Sequence, residues 1–260
     1  MRDIKPQVYK DPRPAEYFTR FHERARTHQA DWVYDLARVI LTPPTLALYR
    51  GRPIGTENVP RVGPVILAPN HFSQWDHFFC GVFLRRKVRF MAKSQLFSNP
   101  AIEFIFRHGG VFPVRRGHHD EEAFVTARII LERGGCLLMY PEGGRSRTGQ
   151  LGDPRPGVGR IALETGVPVV PVAIHGSRDV RRWRRLRFPK VTIHYGEPLR
   201  FDAVAEPSRE QQLEVATEVF DRVREMYQTL DVKGRRGVAA ALREGIEARA
   251  EQPLPVREAR

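Results

Sequence analysis

The amino-acid sequence predicts an α/β fold: a mostly parallel twisted sheet flanked by helices, with an N-terminal helical pair and a C-terminal helical tail. Three observations lead there. Short β-rich runs alternate with helix-like stretches from residue 53 to 205, the pattern of strands joined by crossover helices. Runs such as VPVVPVAI at 167–174 are almost continuously apolar, as strands covered on both faces are. Residues 14–50 repeat apolar side chains every three and four positions, and residues 208–250 are helical in pattern and heavily charged. The expected organisation is an N-terminal pair of amphipathic helices over 1–50, a core over 51–205 and a charged helical tail over 206–260.

Taken in order, AEYFTRFHERARTH and DWVYDLARVILTPPTLALYR form the two N-terminal helices, and Pro43 with Pro44 is expected to break or kink the second. The pair suits either packing on the core or lying in a membrane interface. Strands are expected at RPIGTE, PVILA, VRFMA, VFPV, CLLMY, VPVVPVAI and KVTIHY, with helices at 74–86, 120–133 and 157–165. Pro171 removes a ladder donor from the middle of its run, which predicts an edge strand or a bulge. Ser208 caps the tail helix, KGRRG at 233–237 interrupts it, and EQPLPVREAR should fray.

Lys and Arg number 43 against 30 Asp and Glu, a net charge of +13. That balance implies polyanionic partners, whether nucleic acid, anionic lipid or phosphorylated small molecules. Cys80 and Cys136 sit in apolar surroundings and read as reduced thiols in a cytosolic core. No apolar secretory segment opens the sequence, and nowhere do about 18 uncharged apolar residues run together. A protein that lies on a membrane without spanning it is therefore expected.

Chemistry concentrates in four blocks. His71 and Asp76, in PNHFSQWDHFF, would lie roughly 140° apart on a continuous helix. They meet only if His71 occupies a strand-to-helix turn and Asp76 the first helical turn. There the carboxylate fixes the imidazole tautomer and leaves a nitrogen free as general base. A metal clip would add His77, or His118, His119 and Asp120, and the spacing supports neither. GGVFPVRR ends a strand in Arg115 and Arg116, where open α/β sheets bind ligands and an arginine fork suits phosphate. In YPEGGRSRTG, Gly143 and Gly144 allow close backbone approach, Arg145, Ser146 and Arg147 offer phosphate donors, and Glu142 can brace them. The fourth block is GVPVVPVAIHGS at 166–177.

In this order the blocks resemble the motifs of the glycerolipid acyltransferase superfamily, specifically its 1-acylglycerol-3-phosphate acyltransferases. His71 and Asp76 match the family's H-x4-D, GGVFPVR its second block, and VPVVPVAI its fourth. PEGGRS stands where the family has P-E-G-T-R-S, with Gly144 in place of threonine. MAKSQLF resembles a segment whose lysine, here Lys93, holds phosphate. The likeness covers about residues 52–200.

The resemblance implies acyl transfer from acyl-CoA or acyl carrier protein to the sn-2 hydroxyl of a lysophosphatidate, with His71 as base and Asp76 orienting it. It implies oxyanion donors among backbone amides near the dyad or the Pro168 strand. Lys93, Arg115, Glu142, Gly143, Arg145 and Ser146 are the expected phosphate-binding residues, with no metal or further cofactor. A lysophospholipid in a bilayer implies peripheral attachment to the cytoplasmic face of an anionic membrane. The N-terminal helices are candidates for that contact, as is RDVRRWRRLRFPK at 178–190 with Trp183, Leu186 and Phe188. Another lysolipid or glycerol 3-phosphate is the alternative acceptor. A non-catalytic basic binding protein leaves the ordered motifs unexplained, and no nucleic acid is expected.

Overall fold

A computed structural model of the chain describes residues 11–117, 120–146, 148–180 and 188–250. Seven strands form one sheet in the order β1-β7-β6-β2-β5-β3-β4. They are β1 (Arg52–Ile54), β2 (Val65–Pro69), β3 (Val88–Lys93), β4 (Val111–Val114), β5 (Cys136–Leu138), β6 (Val169–His175) and β7 (Thr192–Tyr195). Each falls within or beside a predicted run. All neighbouring pairs are parallel except β6 with β7.

Helices cover both faces of the sheet, which is why its central strands are apolar throughout. On one face Ile66, Ala68, Leu137 and Val169 pack with residues of α5 (Glu121–Glu132), α6 (Gly157–Thr165) and α7 (Arg209–Ala250). On the other, Val65, Leu67, Leu138 and Val170 pack with Phe79 and Cys80 of α3 (Asp76–Val82). Both cysteines are buried free thiols. The N-terminal pair is α1 (Glu16–Thr27), packed on α5 and β4, and α2 (Trp32–Ala47), packed on α3 and on α4 (Pro100–Gly109).

Two expectations are corrected here, and one element was missed. The helix α2 is not broken by its prolines, and Leu48 N still donates to Pro44 O. The helix α4 was not read from the sequence, although its apolar residues keep a helical period. Its signals are local: Asn99 caps Ala101 and Ile102, Pro100 opens the first turn, and Gly110 closes the helix at φ 79°. Finally, β6 is an interior strand paired on both sides. It tolerates Pro171 because β7 ends at Tyr195, and Pro171 O accepts from Gly196 N just beyond that end.

In the tail, Ser208 and Gln211 cap each other reciprocally, Gln211 N donating to Ser208 Oγ and Ser208 N to Gln211 Oε1. The predicted interruption falls at Gly234, whose φ of 63° and ψ of 173° are not helical. The expected fraying of EQPLPVREAR lies outside the described residues.

Candidate active site

The carboxyl ends of four adjacent parallel strands, β2, β5, β3 and β4, bring the predicted blocks to one edge of the sheet. His71 follows β2, residues 140–146 follow β5, Lys93 ends β3, and Arg115 with Arg116 follows β4. Ligands of open α/β sheets bind at this edge.

The dyad forms as the turn geometry predicts. His71 Nδ1 lies 2.9 Å from Asp76 Oδ2, across the turn between β2 and the first residue of α3. Phe72 N and Ser73 N, both at 2.7 Å, donate to the same oxygen. Asp76 is fully buried and His71 is 9% exposed. With Nδ1–H directed at the carboxylate, Nε2 is the nitrogen left to take a proton. Burial lowers the His71 pKa below 6.5, Asp76 opposes that shift, and the positive charges of Arg145 and Arg116 reinforce it. The imidazole is therefore neutral at pH 7, as a base must be.

Three contacts were invisible in the sequence. Tyr140 stacks on the His71 ring with centroids 3.7 Å apart and planes 13° from parallel. The side chain of Asn70 bonds Ile174 N and Ile174 O, tying the residue before His71 to β6. Glu142, expected to brace the arginines of its own loop, instead accepts from His71 N at 2.8 Å and from Gly152 N at 2.7 Å. Burial raises the Glu142 pKa, while those two amides favour its charged form. Because the amides of residues 71–73 are all committed to Glu142 or Asp76, none is left to serve an oxyanion. On the Pro168 strand, Val169 N and Ile174 N are likewise taken, by Leu199 O and Asn70 Oδ1.

The cations gather unevenly. Arg116 and Arg145 lie close enough to His71 to depress its pKa. Desolvation and the like charges of Arg155 and Arg145 lower the Arg116 pKa in turn. The double glycine makes room for this cluster. A Cβ on Gly143, whose φ is 65°, would lie 2.7 Å from Arg155 Cδ, and one on Gly144 would lie 3.1 Å from Arg116 Nη1. Arg155 went unrecognised because it stands outside the quoted blocks.

Arg115 turns toward the start of α1: its Nη2 donates to Arg13 O at 3.1 Å, its main-chain N to Asp120, and its buried Nε has no hydrogen-bond partner among the described residues. Lys93 is half-buried and opposite Val114 in the register. Ser146 supports its own loop, its Oγ donating to Gln150 O at 2.6 Å while its N bonds His71 O. Arg147, His118 and His119 lie outside the described residues.

An apolar cavity of about 70 Å³ lies between α2, α3, β3 and α4, lined by Tyr34, Leu41, His77, Phe78, Phe90 and Ile105 among others. His77 packs on Phe78 and Phe90 at its wall, and burial, helped by nearby His71, pushes its pKa down to about 3.

Residues 52–175 match the Acyltransferase family model. Over that stretch the chain is similar to the acyltransferase family. The chain is 32% identical over 129 residues to a chloroplastic 1-acyl-sn-glycerol-3-phosphate acyltransferase of Brassica napus, covering 48% of this chain and 37% of that protein. It is 27% identical to a 1-acyl-sn-glycerol-3-phosphate acyltransferase of Bacillus subtilis, covering 67% and 87% of the two chains. The chain thus spans little more than a third of its Brassica relative but most of the Bacillus one. Its fold is shared with the 1-acyl-sn-glycerophosphate acyltransferase from Thermotoga maritima, at a TM-score of 0.56 and 22% identity over 83% of this chain and 89% of the other.

Proposed function

We propose that this chain is an acyltransferase that moves a fatty acyl group from an acyl thioester to the sn-2 hydroxyl of 1-acylglycerol 3-phosphate, giving phosphatidate. The observation that carries the reading is a buried His71–Asp76 hydrogen bond beside a cluster of guanidinium groups. His71 Nε2 takes the hydroxyl proton while the oxygen attacks the thioester carbonyl. The tetrahedral intermediate collapses with C–S cleavage, and the imidazolium returns its proton to the departing thiolate of CoA or acyl carrier protein. Asp76 stabilises the imidazolium that exists only between these steps. The cationic cluster supplies the positive potential for the oxyanion.

Lys93, Arg115 and Arg145 clamp the acceptor phosphate in this scheme, and Arg116 and Arg155 join them. Glu142, Gly143 and Ser146 hold the loop in the shape that lets guanidinium groups reach the ligand. No metal and no cofactor beyond the thioester co-substrate takes part.

The acceptor's acyl chain calls for contact with a bilayer, and no described helix is long and apolar enough to cross one. Trp32, Leu36, Val39 and Ile40 of α2 are exposed, as are Phe104 and Ile105 of the adjoining α4. Ile105 also lines the apolar cavity that includes His77, the residue after Asp76, so peripheral attachment through this face would offer that cavity to an acyl chain. The basic stretch 178–190 is described only in part. Residues 181–187, with Trp183 and Leu186, lie outside the described residues, and Phe188 turns inward onto Tyr49.

The test is thiol release from palmitoyl-CoA on anionic vesicles, with and without lysophosphatidate, for the parent and for His71→Ala. Acceptor-dependent release by the parent alone is expected. Release that ignores the acceptor would make the chain a thioesterase. Release driven only by glycerol 3-phosphate or another lysolipid would replace the acceptor named here.

A further inference from the structure

We infer that one face of the C-terminal helix, built from Arg224, Tyr227 and Asp231, positions His71 for the reaction. The inference rests on the acyltransferase reading and extends it to α7, which lies wholly outside the family-matched residues 52–175. Spacings of three and four put these side chains on one helix face. Each reaches a different segment that holds His71.

Arg224 Nη2 donates to Gly152 O at 2.7 Å, Gly152 N donates to Glu142 Oε1 at 2.7 Å, and Glu142 Oε2 accepts from His71 N at 2.8 Å. Three hydrogen bonds therefore connect the helix with the histidine's own backbone. Tyr227 meets Phe72 edge-on, with ring centroids 5.7 Å apart and planes at 63°. Phe72 N is one of the amides that hold Asp76. Asp231 Oδ1 lies 2.8 Å from His175 Nε2, and His175 packs on Tyr227 at 5.1 Å. His175 follows Ile174, whose backbone is bonded in both directions by Asn70. The residue before His71, the residue after it and its own amide are thus all secured, directly or through two intermediaries, from the same helix face.

The helix does not need this face to stay attached. Ala216, Val219 and Phe220 are fully buried against the body of the protein, and Leu230 packs with Ala173 and Val238. The Asp231 side chain is 57% exposed and that of Arg224 is 29% exposed, so their ion pairs add little to stability. Their consequence is geometric: a catalytic group displaced by about 1 Å loses on the order of a hundredfold in rate.

The test compares Tyr227→Leu, Tyr227→Phe, Arg224→Ala and Arg224→Lys with the parent, and uses Val219→Ala as a packing control on the same helix. Tyr227→Leu and Arg224→Ala should lower kcat by roughly tenfold or more while the KM for lysophosphatidate changes by less than about twofold. The Phe and Lys variants keep the ring contact and the donor, so they should recover most of the rate. Val219→Ala should lower the melting temperature and leave kcat near that of the parent. A kcat within about twofold of the parent in both disruptive variants, or a loss that merely follows melting temperature and appears in Val219→Ala as well, overturns the inference.

A second readout needs no turnover. Titration of the imidazole resonance that vanishes in His71→Ala should show its midpoint rising toward 6.5 in Arg224→Ala and Tyr227→Leu, as the loosened ring meets water. An unchanged midpoint in both overturns the positioning role, whereas a parent that releases no thiol with any acceptor refutes the acyltransferase reading instead.

Discussion

Asp76→Asn isolates the part of catalysis that the dyad supplies. The substitution is nearly isosteric, and the remaining side-chain oxygen can still accept from Phe72 N and Ser73 N, so the turn keeps its shape. What disappears is a full negative charge 2.9 Å from His71 Nδ1. At an effective dielectric constant of 20, that charge and an imidazolium attract by about 6 kcal/mol, which sets the ceiling at about four decades of rate. The amide dipole retains part of the attraction, and the two backbone donors already dilute the carboxylate, so kcat should fall by about 10²- to 10⁴-fold. Stability should fall as well. Asp76 Oδ1 is buried without a partner, and an NH₂ group in its place would leave donors unsatisfied at a cost of about 1–3 kcal/mol. Acceptor-dependent thiol release at saturating substrate measures the first effect and thermal unfolding the second. Retention of more than a third of the parent kcat, with the protein folded, would refute the assignment of the imidazolium to the reaction path.

Arg116→Gln and Arg145→Gln should raise the acceptor KM and move the acid limb of kcat/KM upward in pH, because each removes a charge that depresses the His71 pKa. Rate profiles from pH 5 to 8 check this, and a limb that stays put would separate the arginines from the base. Val39→Asp combined with Ile40→Asp should reduce co-sedimentation with anionic vesicles by about tenfold while leaving turnover of a short-chain, water-soluble acceptor intact. Equal sedimentation would move the docking face elsewhere. Burial holds the His22 pKa down to about 4, so between pH 6.5 and 4 the unfolded chain binds a proton that the folded chain refuses. Stability is full above pH 6.5 and falls by up to about 3 kcal/mol toward pH 4. Urea midpoints of His22→Gln should therefore decline less between pH 7 and 5 than those of the parent. Gly144→Thr should raise the acceptor KM only a few-fold, since its Cβ would press the mobile end of Arg116 at 3.1 Å. A hundredfold effect would mean that Arg116 cannot yield.

The interior strands β2, β5 and β6 were legible because burial on both faces writes a strand as an apolar run, whatever the rest of the chain does. The dyad was legible for a different reason: its partners are five residues apart, so the geometry of one turn decides whether they meet. Pro171 misled because a missing donor counts only against the neighbour that would accept it, and the position where β7 stops is not encoded near residue 171. The helix α4 was missed although its apolar residues keep a helical period and Asn99, Pro100 and Gly110 mark both ends; it is only ten residues long and lies between runs read as strands. Glu142 was placed correctly in the loop but given the wrong partner. Its amide donor on His71 lies 71 residues away, and no local rule selects it over the arginines nearby.

That last error shows how the fold turns a weak motif into a site. A histidine and an aspartate five residues apart recur in many proteins, and alone they fix nothing beyond one tautomer. The parallel order β2-β5-β3-β4 adds what the pair lacks by ending four strands on one edge. The ring of Tyr140 then lies on His71, Glu142 holds its amide, and Arg116 and Arg145 bias its protonation. Each of these contacts comes from a segment distant in sequence, so each depends on the sheet order and none on its neighbours in the chain. The same logic makes α7 part of the site although its sequence carries no motif. A helix contributes to chemistry through the face it presents, and here Arg224, Tyr227 and Asp231 present theirs to the segments that fix His71.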